Sequence, residues 1–189
     1  MSKSILITFI SVIFLISSCL SQKQIIGKWV SESPENTAAG GFGTRQFTLG
    51  KESWEVRASV YLDSSLNFPV FTFRAVGKYT IGGKSGAISN AEEAVFGFDK
   101  KYITLKTKDT SLIHKYGFDK CDLIYLMEKD ITDTGCAFFV SNAVCPQEFD
   151  LVSITGNTLY LGARPLSGGM CEEAKRPKLL GLPLTRIGK

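Results

Sequence analysis

Long stretches of alternating apolar and polar residues most narrow the folds open to this chain. Trp54, Val56, Ala58, Val60 and Leu62 alternate with Glu55, Arg57, Ser59 and Tyr61. That period of two sets one apolar and one polar face on a strand of about nine residues. Pro69 marks the start of a second such stretch. Phe71, Phe73, Ala75, Gly77, Tyr79 and Ile81 share a face while Thr72, Arg74, Lys78 and Thr80 point the other way, and Gly82-Gly83 closes the run with a turn signal. The two stretches read as a long antiparallel pair. Similar signals mark strands at 27–32, 44–49, 94–98, 102–107, 123–127, 135–141, 149–154, 158–163 and 184–187. Around ten short strands joined by Gly and Asn turns such as Gly156-Asn157 predict a barrel or sandwich. One short helix is expected, capped by Asp109 or Thr110, turning Leu112 and Ile113 to the core and stopped by Gly117. Residues 33–43, with Pro34, Asn36, Gly40, Gly41 and Gly43, read as a mobile loop.

The first 21 residues have the layout of a secretory signal: Lys3, an apolar run over 5–16, then small residues. Two processing sites compete. Ser21-Gln22 fits ordinary cleavage, giving a signal peptide over 1–21 and one β-barrel domain over 22–189. Ile16-Ser17-Ser18-Cys19 fits a lipobox, with cleavage before Cys19 and a lipid on that cysteine. No later segment offers the run of about 20 apolar residues that a membrane span needs, so membrane contact is expected only through a lipid anchor. The remaining chain is long enough for one substantial core and short for two domains. Its 21 Lys and Arg, the chain's 22 less Lys3, against 18 Asp and Glu are spread along the chain rather than blocked into patches, which argues against nucleic acid as a partner.

Cys121, Cys136, Cys145 and Cys171 form an even set for an oxidising compartment, and four cysteines allow three connectivities. We take Cys121 with Cys136 and Cys145 with Cys171. Gaps of 14, 8 and 25 residues lack the short pairs of a zinc site, and no metal is expected. Enzyme chemistry has little to hold. His114 is the only histidine and falls on the expected helix, where an exposed or partnered side chain is the ordinary reading. Gly82-Gly83-Lys84-Ser85-Gly86 lacks the earlier glycine of a phosphate loop, where Lys78 stands instead. Glu92-Glu93 and the acids of Asp130-Ile131-Thr132-Asp133 read as solvated turns or ion pairs before they read as a glycosidase pair or a calcium loop. Neither catalytic residues nor a cofactor are assigned. The surplus is apolar instead. Thirteen Phe, six Tyr and two Trp on a β chain make an apolar cavity plausible, with Trp54, Val56, Phe71, Phe73, Phe96 and Phe98 as candidates for its lining.

Several motifs recur in order along the chain. They are Gly27-Lys28-Trp29-Val30-Ser31, Thr44-Arg45-Gln46-Phe47, Phe68-Pro69-Val70-Phe71 and Gly77-Lys78-Tyr79 followed by Glu93. In the last third come Asp130-Ile131-Thr132-Asp133-Thr134-Gly135-Cys136, Glu148-Phe149-Asp150-Leu151-Val152, Leu159-Tyr160-Leu161-Gly162, Arg164-Pro165, and Arg176-Pro177 before Leu182-Pro183-Leu184. Together they resemble the domain of the adenomatosis polyposis coli down-regulated 1 family over residues 27–186. The resemblance implies a cell-surface or secreted Wnt-antagonist domain, built as a single antiparallel calycin-like open β-barrel, all-β with a minor helix. It also implies a lipid or fatty acyl ligand in an apolar pocket, and a lipidated secreted protein as partner. Cys121 with Cys136 would be the family-type bridge. Where members usually carry a further cysteine pair, this chain has Pro34 and Leu66. Arg164 or Arg186 would meet a polar head group. Alternatively Arg186 would pack over Trp29 at the barrel base, a structural pair of the kind calycins use. A second class of function stays open: a surface lipoprotein with a filled barrel, acting as a protein-interaction or structural module through loops such as 33–43.

Overall fold

The alternation of the two long stretches is realised in strands β4 (Ser53–Tyr61) and β5 (Pro69–Lys84), paired antiparallel with Ser53 opposite Lys78 and Val60 opposite Phe71. The structure, a computed structural model, describes residues 24–38, 40–165 and 169–188. The signal peptide over 1–21 and the lipidation site at Cys19 lie outside the described residues. The other strands are β1 (Gly27–Ser31), β2 (Glu35–Asn36), β3 (Phe42–Leu49), β6 (Glu92–Gly97), β7 (Lys100–Leu105), β8 (Glu128–Asp130), β9 (Gln147–Thr155), β10 (Thr158–Leu161) and β11 (Leu184–Ile187).

Eight strands close an antiparallel barrel. Its order is β1-β3-β4-β5-β6-β9-β10-β11, and β11 returns to β1 through Trp29 opposite Arg186. Closure removes the free edges that an open sheet of this length would expose. The three remaining strands extend it: β2 pairs with the start of β3, β7 with the first half of β5, and β8 with β7. β5 changes partner in mid-strand, from β7 over Phe71 to Val76 to β6 from Tyr79 onward. Gly77 occupies the switch, where a Cβ would lie 2.0 Å from the Gly97 carbonyl oxygen. Only glycine lets the two backbones approach so closely.

The inward face of this sheet is apolar in two consecutive clusters. The first fills the barrel and includes Trp29, Phe47, Trp54, Val56, Phe96 and Leu159. The second lies on the β4-β5-β7 extension and includes Val60, Phe71, Ile103, Leu105 and Phe118. Phe73 packs against both. The segment between β7 and β9 covers the second cluster as a cap. Its helix α1 (Thr110–Lys115) begins where the Asp109 carboxylate accepts from the Ser111 and Leu112 amides, and Gly117, at φ 72°, lies just beyond its end. Ile113 packs on the second cluster, and Phe118, in a short 3-10 turn just after the helix, is fully buried in it.

Three expectations fail locally, each for a physical reason. Residues 123–127 form turns rather than a strand; Ile124, Leu126 and Met127 face solvent, so their apolar character did not mean burial. The strand falls just after them, at the polar residues of β8. Residues 135–141 make no extended strand either. Cys136 and Phe139 exchange two backbone hydrogen bonds across a tight turn at Ala137-Phe138, Ala137 having φ 51°. Residues 33–43 include β2, with Glu35 opposite Gly43 and Asn36 opposite Phe42. The Gly-rich composition there serves a hairpin, since Gly40 and Gly41 both take positive φ.

Candidate functional site

The six candidate lining residues all point inward but divide between the clusters. Trp54, Val56, Phe96 and Phe98 belong to the barrel interior, Phe71 to the cap cluster and Phe73 to the seam. The interior four are held by specific contacts. The Trp54 indole donates to the Gly97 carbonyl at 2.8 Å, and its ring centroid lies 5.1 Å from that of Phe96 and 5.5 Å from that of Phe98. Edge-to-face rings at these distances are mutually stabilising. The interior is therefore filled by its own side chains.

The capped end is different. Phe73 stacks on Phe139 with centroids 4.3 Å apart and planes within 2° of parallel. Phe138 lies over Phe71, Phe118 and Phe139 yet remains 54 % exposed. The tight turn from Cys136 to Phe139 holds it there, with Ala137 in a backbone region that non-glycine residues rarely adopt. An aromatic side chain is thus displayed to solvent directly above a buried aromatic cluster. Sequence reading missed Phe138 and Phe139 because 135–141 looked like a strand; the signal that could have found them is the Phe-Phe pair two residues after a bridged cysteine.

Two disulfides frame the cap: Cys121 with Cys136, Cα atoms 5.5 Å apart, and Cys145 with Cys171, 5.2 Å apart. Between them Lys101, on the inward face of β7, is almost wholly buried. Its ammonium donates to the Val140 and Cys145 carbonyls at 3.0 and 2.8 Å and lies 4.2 Å from the Phe98 ring centre. Burial pulls its pKa below the ordinary lysine value. The buried cation ties the cap's return loop to β7 of the sheet extension.

The two arginines singled out from sequence have separate surroundings. Arg164 forms a bidentate pair with Glu148 at 2.7 and 2.6 Å. Arg186 lies 4.0 Å over the ring of Trp29, donates to the Ile26 carbonyl at 2.6 Å and also donates to that of Gln24. Gly27 makes room for it, since a Cβ there would stand 2.5 Å from the guanidinium nitrogen. That contact is the physical content of the Gly-x-Trp opening.

Asp150 on β9 is buried and accepts from the Leu151 and Gly162 amides at 2.7 and 2.8 Å. Burial outweighs those two bonds and pushes its pKa up from 3.8 to about 6. Between about pH 4 and pH 6 the folded carboxyl keeps a proton that the unfolded one releases, so the folded state binds more protons and stability falls as pH rises through that window. Asp150→Asn removes the charge and retains an acceptor. It is expected to be more stable than the parent by roughly 1 to 2 kcal/mol above pH 6, with the difference vanishing near pH 4. Urea unfolding of both proteins across that range checks it, and a constant difference would refute the assignment.

The other chemical candidates are dispersed. His114 is exposed and lies 3.3 Å from Asp119. Asp130 pairs with Lys100 at 2.8 Å and accepts from Thr132, and these partners hold its carboxyl down to about 2. Glu92 and Glu93 are neighbours on β6. Among the described residues no group of three or more His, Cys, Asp or Glu side chains could hold a metal ion, and no helix is long and apolar enough to cross a membrane.

A closed small barrel with an aromatic cap and two disulfides has the build of a small extracellular domain. The model of the adenomatosis polyposis coli down-regulated 1 family matches residues 15–134, more than half of the chain, and the protein belongs to that family. The matched stretch runs through β8 and ends just before Cys136; β9 to β11, which close the barrel, lie beyond it. No curated protein matches the chain significantly. Family membership and the two disulfides make this a Wnt-related extracellular domain.

Proposed function

We propose that this domain is a non-enzymatic binding module that takes an acyl chain at its capped end. The chain would come from a lipid or from a lipidated secreted protein of the Wnt kind. The observation carrying the reading is the half-exposed Phe138 above the cluster of Phe71, Phe73, Phe118 and Phe139. An acyl chain displacing Phe138 would lie on Phe71 and Phe73 and gain about 0.8 kcal/mol per buried CH2. Trp54, Val56, Phe96 and Phe98 then form the floor rather than the contact surface. Extracytoplasmic location fits the oxidised cysteines, and a lipid on Cys19 would hold the module at a membrane surface.

The test is titration of the mature protein with a long-chain fluorescent fatty acid. Saturable binding is expected, abolished by Phe73→Asp and strengthened about threefold by Phe138→Ser, which removes the ring the chain must displace, with melting curves showing that both variants remain folded. Absence of saturable binding to the parent protein would overturn the reading. The filled barrel favours the second reading, a protein-interaction or structural module whose loops contact a partner, and that reading gains if purified protein carries no lipid by native mass spectrometry.

A further inference from the structure

The outward face of the same sheet carries a polar row that the barrel does not use. Thr44 of β3 lies opposite Ser59 of β4, Ser59 opposite Thr72 of β5, Thr72 opposite Thr104 of β7, and Thr104 opposite Glu128 of β8. One register line thus crosses five strands and lines a depression of about 360 Å³. The volume lies within the range of small-ligand sites, but the lining is hydroxyl, amide and charge rather than apolar. Ser59 and Thr72 bond each other at 2.9 Å. Among the described residues the side chains of Thr44, Gln46, Tyr61, Thr104 and Lys106 have no hydrogen-bond or ion-pair partner, although all of them line the depression.

Thr104 is the decisive member. It is only 8 % exposed, yet its hydroxyl bonds to no protein group. The residue as a whole is withdrawn from water, but its hydroxyl opens on the depression with donor and acceptors free for a ligand, and valine would keep the shape without them. Charge fixes the kind of partner. Glu128 is neutralised by the bidentate Arg74, at 2.8 and 2.5 Å, and Arg57 is paired with Glu55. Lys106 reaches Glu128 only through its longer-range field and forms no ion pair at the depression.

We propose that this face binds an acidic saccharide. Hydroxyls that both donate and accept match sugar hydroxyls, and the strand spacing of about 4.8 Å repeats them at an interval comparable with one sugar ring. Tyr61 offers an aromatic face to a ring, and Lys106, which forms no ion pair there, meets the carboxylate or sulfate. A lone phosphate would need its donors converging on one point, whereas this row is spread along a line.

The experiment is calorimetric titration of the mature protein with three probes: a sulfated uronate-containing oligosaccharide, an oligogalacturonate and a neutral malto-oligosaccharide. At least one acidic probe binds, more weakly as salt is raised, and the comparison of the two decides between sulfate and carboxylate. Thr104→Val lowers that affinity about tenfold while leaving the melting temperature unchanged or higher, and Lys106→Ala lowers it by a similar factor. Phe138→Ser and the remote pair Lys175→Ala/Lys178→Ala leave it unchanged. The proposal is overturned if neither acidic probe binds, if the neutral probe binds equally well, if Thr104→Val binds like the parent, or if the remote pair costs as much as Lys106→Ala.

Discussion

Replacing Trp29 by Ala is expected to lower the unfolding free energy by about 4 kcal/mol, enough to leave a domain of ordinary stability marginal at room temperature. Trp29 is fully buried at the centre of the barrel cluster, so truncation opens a cavity the surrounding β-sheet cannot collapse. Two further losses add to it. The indole N–H donates to the Ile25 carbonyl at 2.8 Å, and that acceptor would lose its partner. Arg186 would lose the ring beneath it, a contact worth about 0.5 to 2 kcal/mol. Trp29→Phe separates these contributions. It keeps most of the apolar volume and a ring for Arg186, but not the N–H, so its loss should be about 1 to 2 kcal/mol. Urea unfolding followed by far-ultraviolet circular dichroism measures both. If Trp29→Ala costs less than Trp29→Phe, the barrel base is not where the fold is anchored.

The contrast between barrel and cap also explains what could be read from the residues alone. Period-two alternation in β4 and β5 specifies strands whatever their partners, because a slip of one residue would expose Trp54, Phe71 and Phe73 together. The cap of α1 at Asp109 was legible for the same reason: its bonds span only three residues. Resemblance to the family chose barrel over sandwich, which alternation alone leaves undecided, but implied an open barrel where the structure closes eight strands. The cap was not legible. Its backbone is held by a disulfide, by the Lys129 ammonium on the Cys121 carbonyl at 2.6 Å and by tight turns, none of which has a periodic signature. Lys101 breaks the pattern of β7 by taking an inward position, and only the carbonyls of Val140 and Cys145, some forty residues on in the chain, make that tolerable. The polar row from Thr44 to Glu128 was invisible for another reason. Each member reads singly as a solvated outward residue, and only the register of four strand pairs aligns them.

Breaking the Cys121–Cys136 bridge with a double serine substitution is expected to lower stability by about 3 kcal/mol, the loop-closure value for its separation of 15 residues. The Cys145–Cys171 bridge closes a loop of 26, and loop entropy alone would make its loss larger by only about 0.5 kcal/mol. What should distinguish the two is where the damage falls. Cys121 and Cys136 both belong to the cap and pack on the second cluster, so without their bond the turn carrying Phe138 and Phe139 is free to leave Phe71 and Phe118. The barrel keeps its continuous ladder of strands. Amide exchange should therefore quicken selectively at Tyr116, Gly117, Cys136 and Phe139, whose backbone bonds lie inside the cap, while Leu151 and Val152 of β9 stay protected. Cys145 lies two residues before β9, and its carbonyl accepts from Lys101. Losing its bridge should loosen the junction of cap and barrel and quicken exchange in β9 as well. Uniform acceleration throughout the chain on removal of Cys121–Cys136 would mean that cap and barrel unfold as one cooperative unit. The capped end would then be unable to open for an acyl chain without the whole domain giving way.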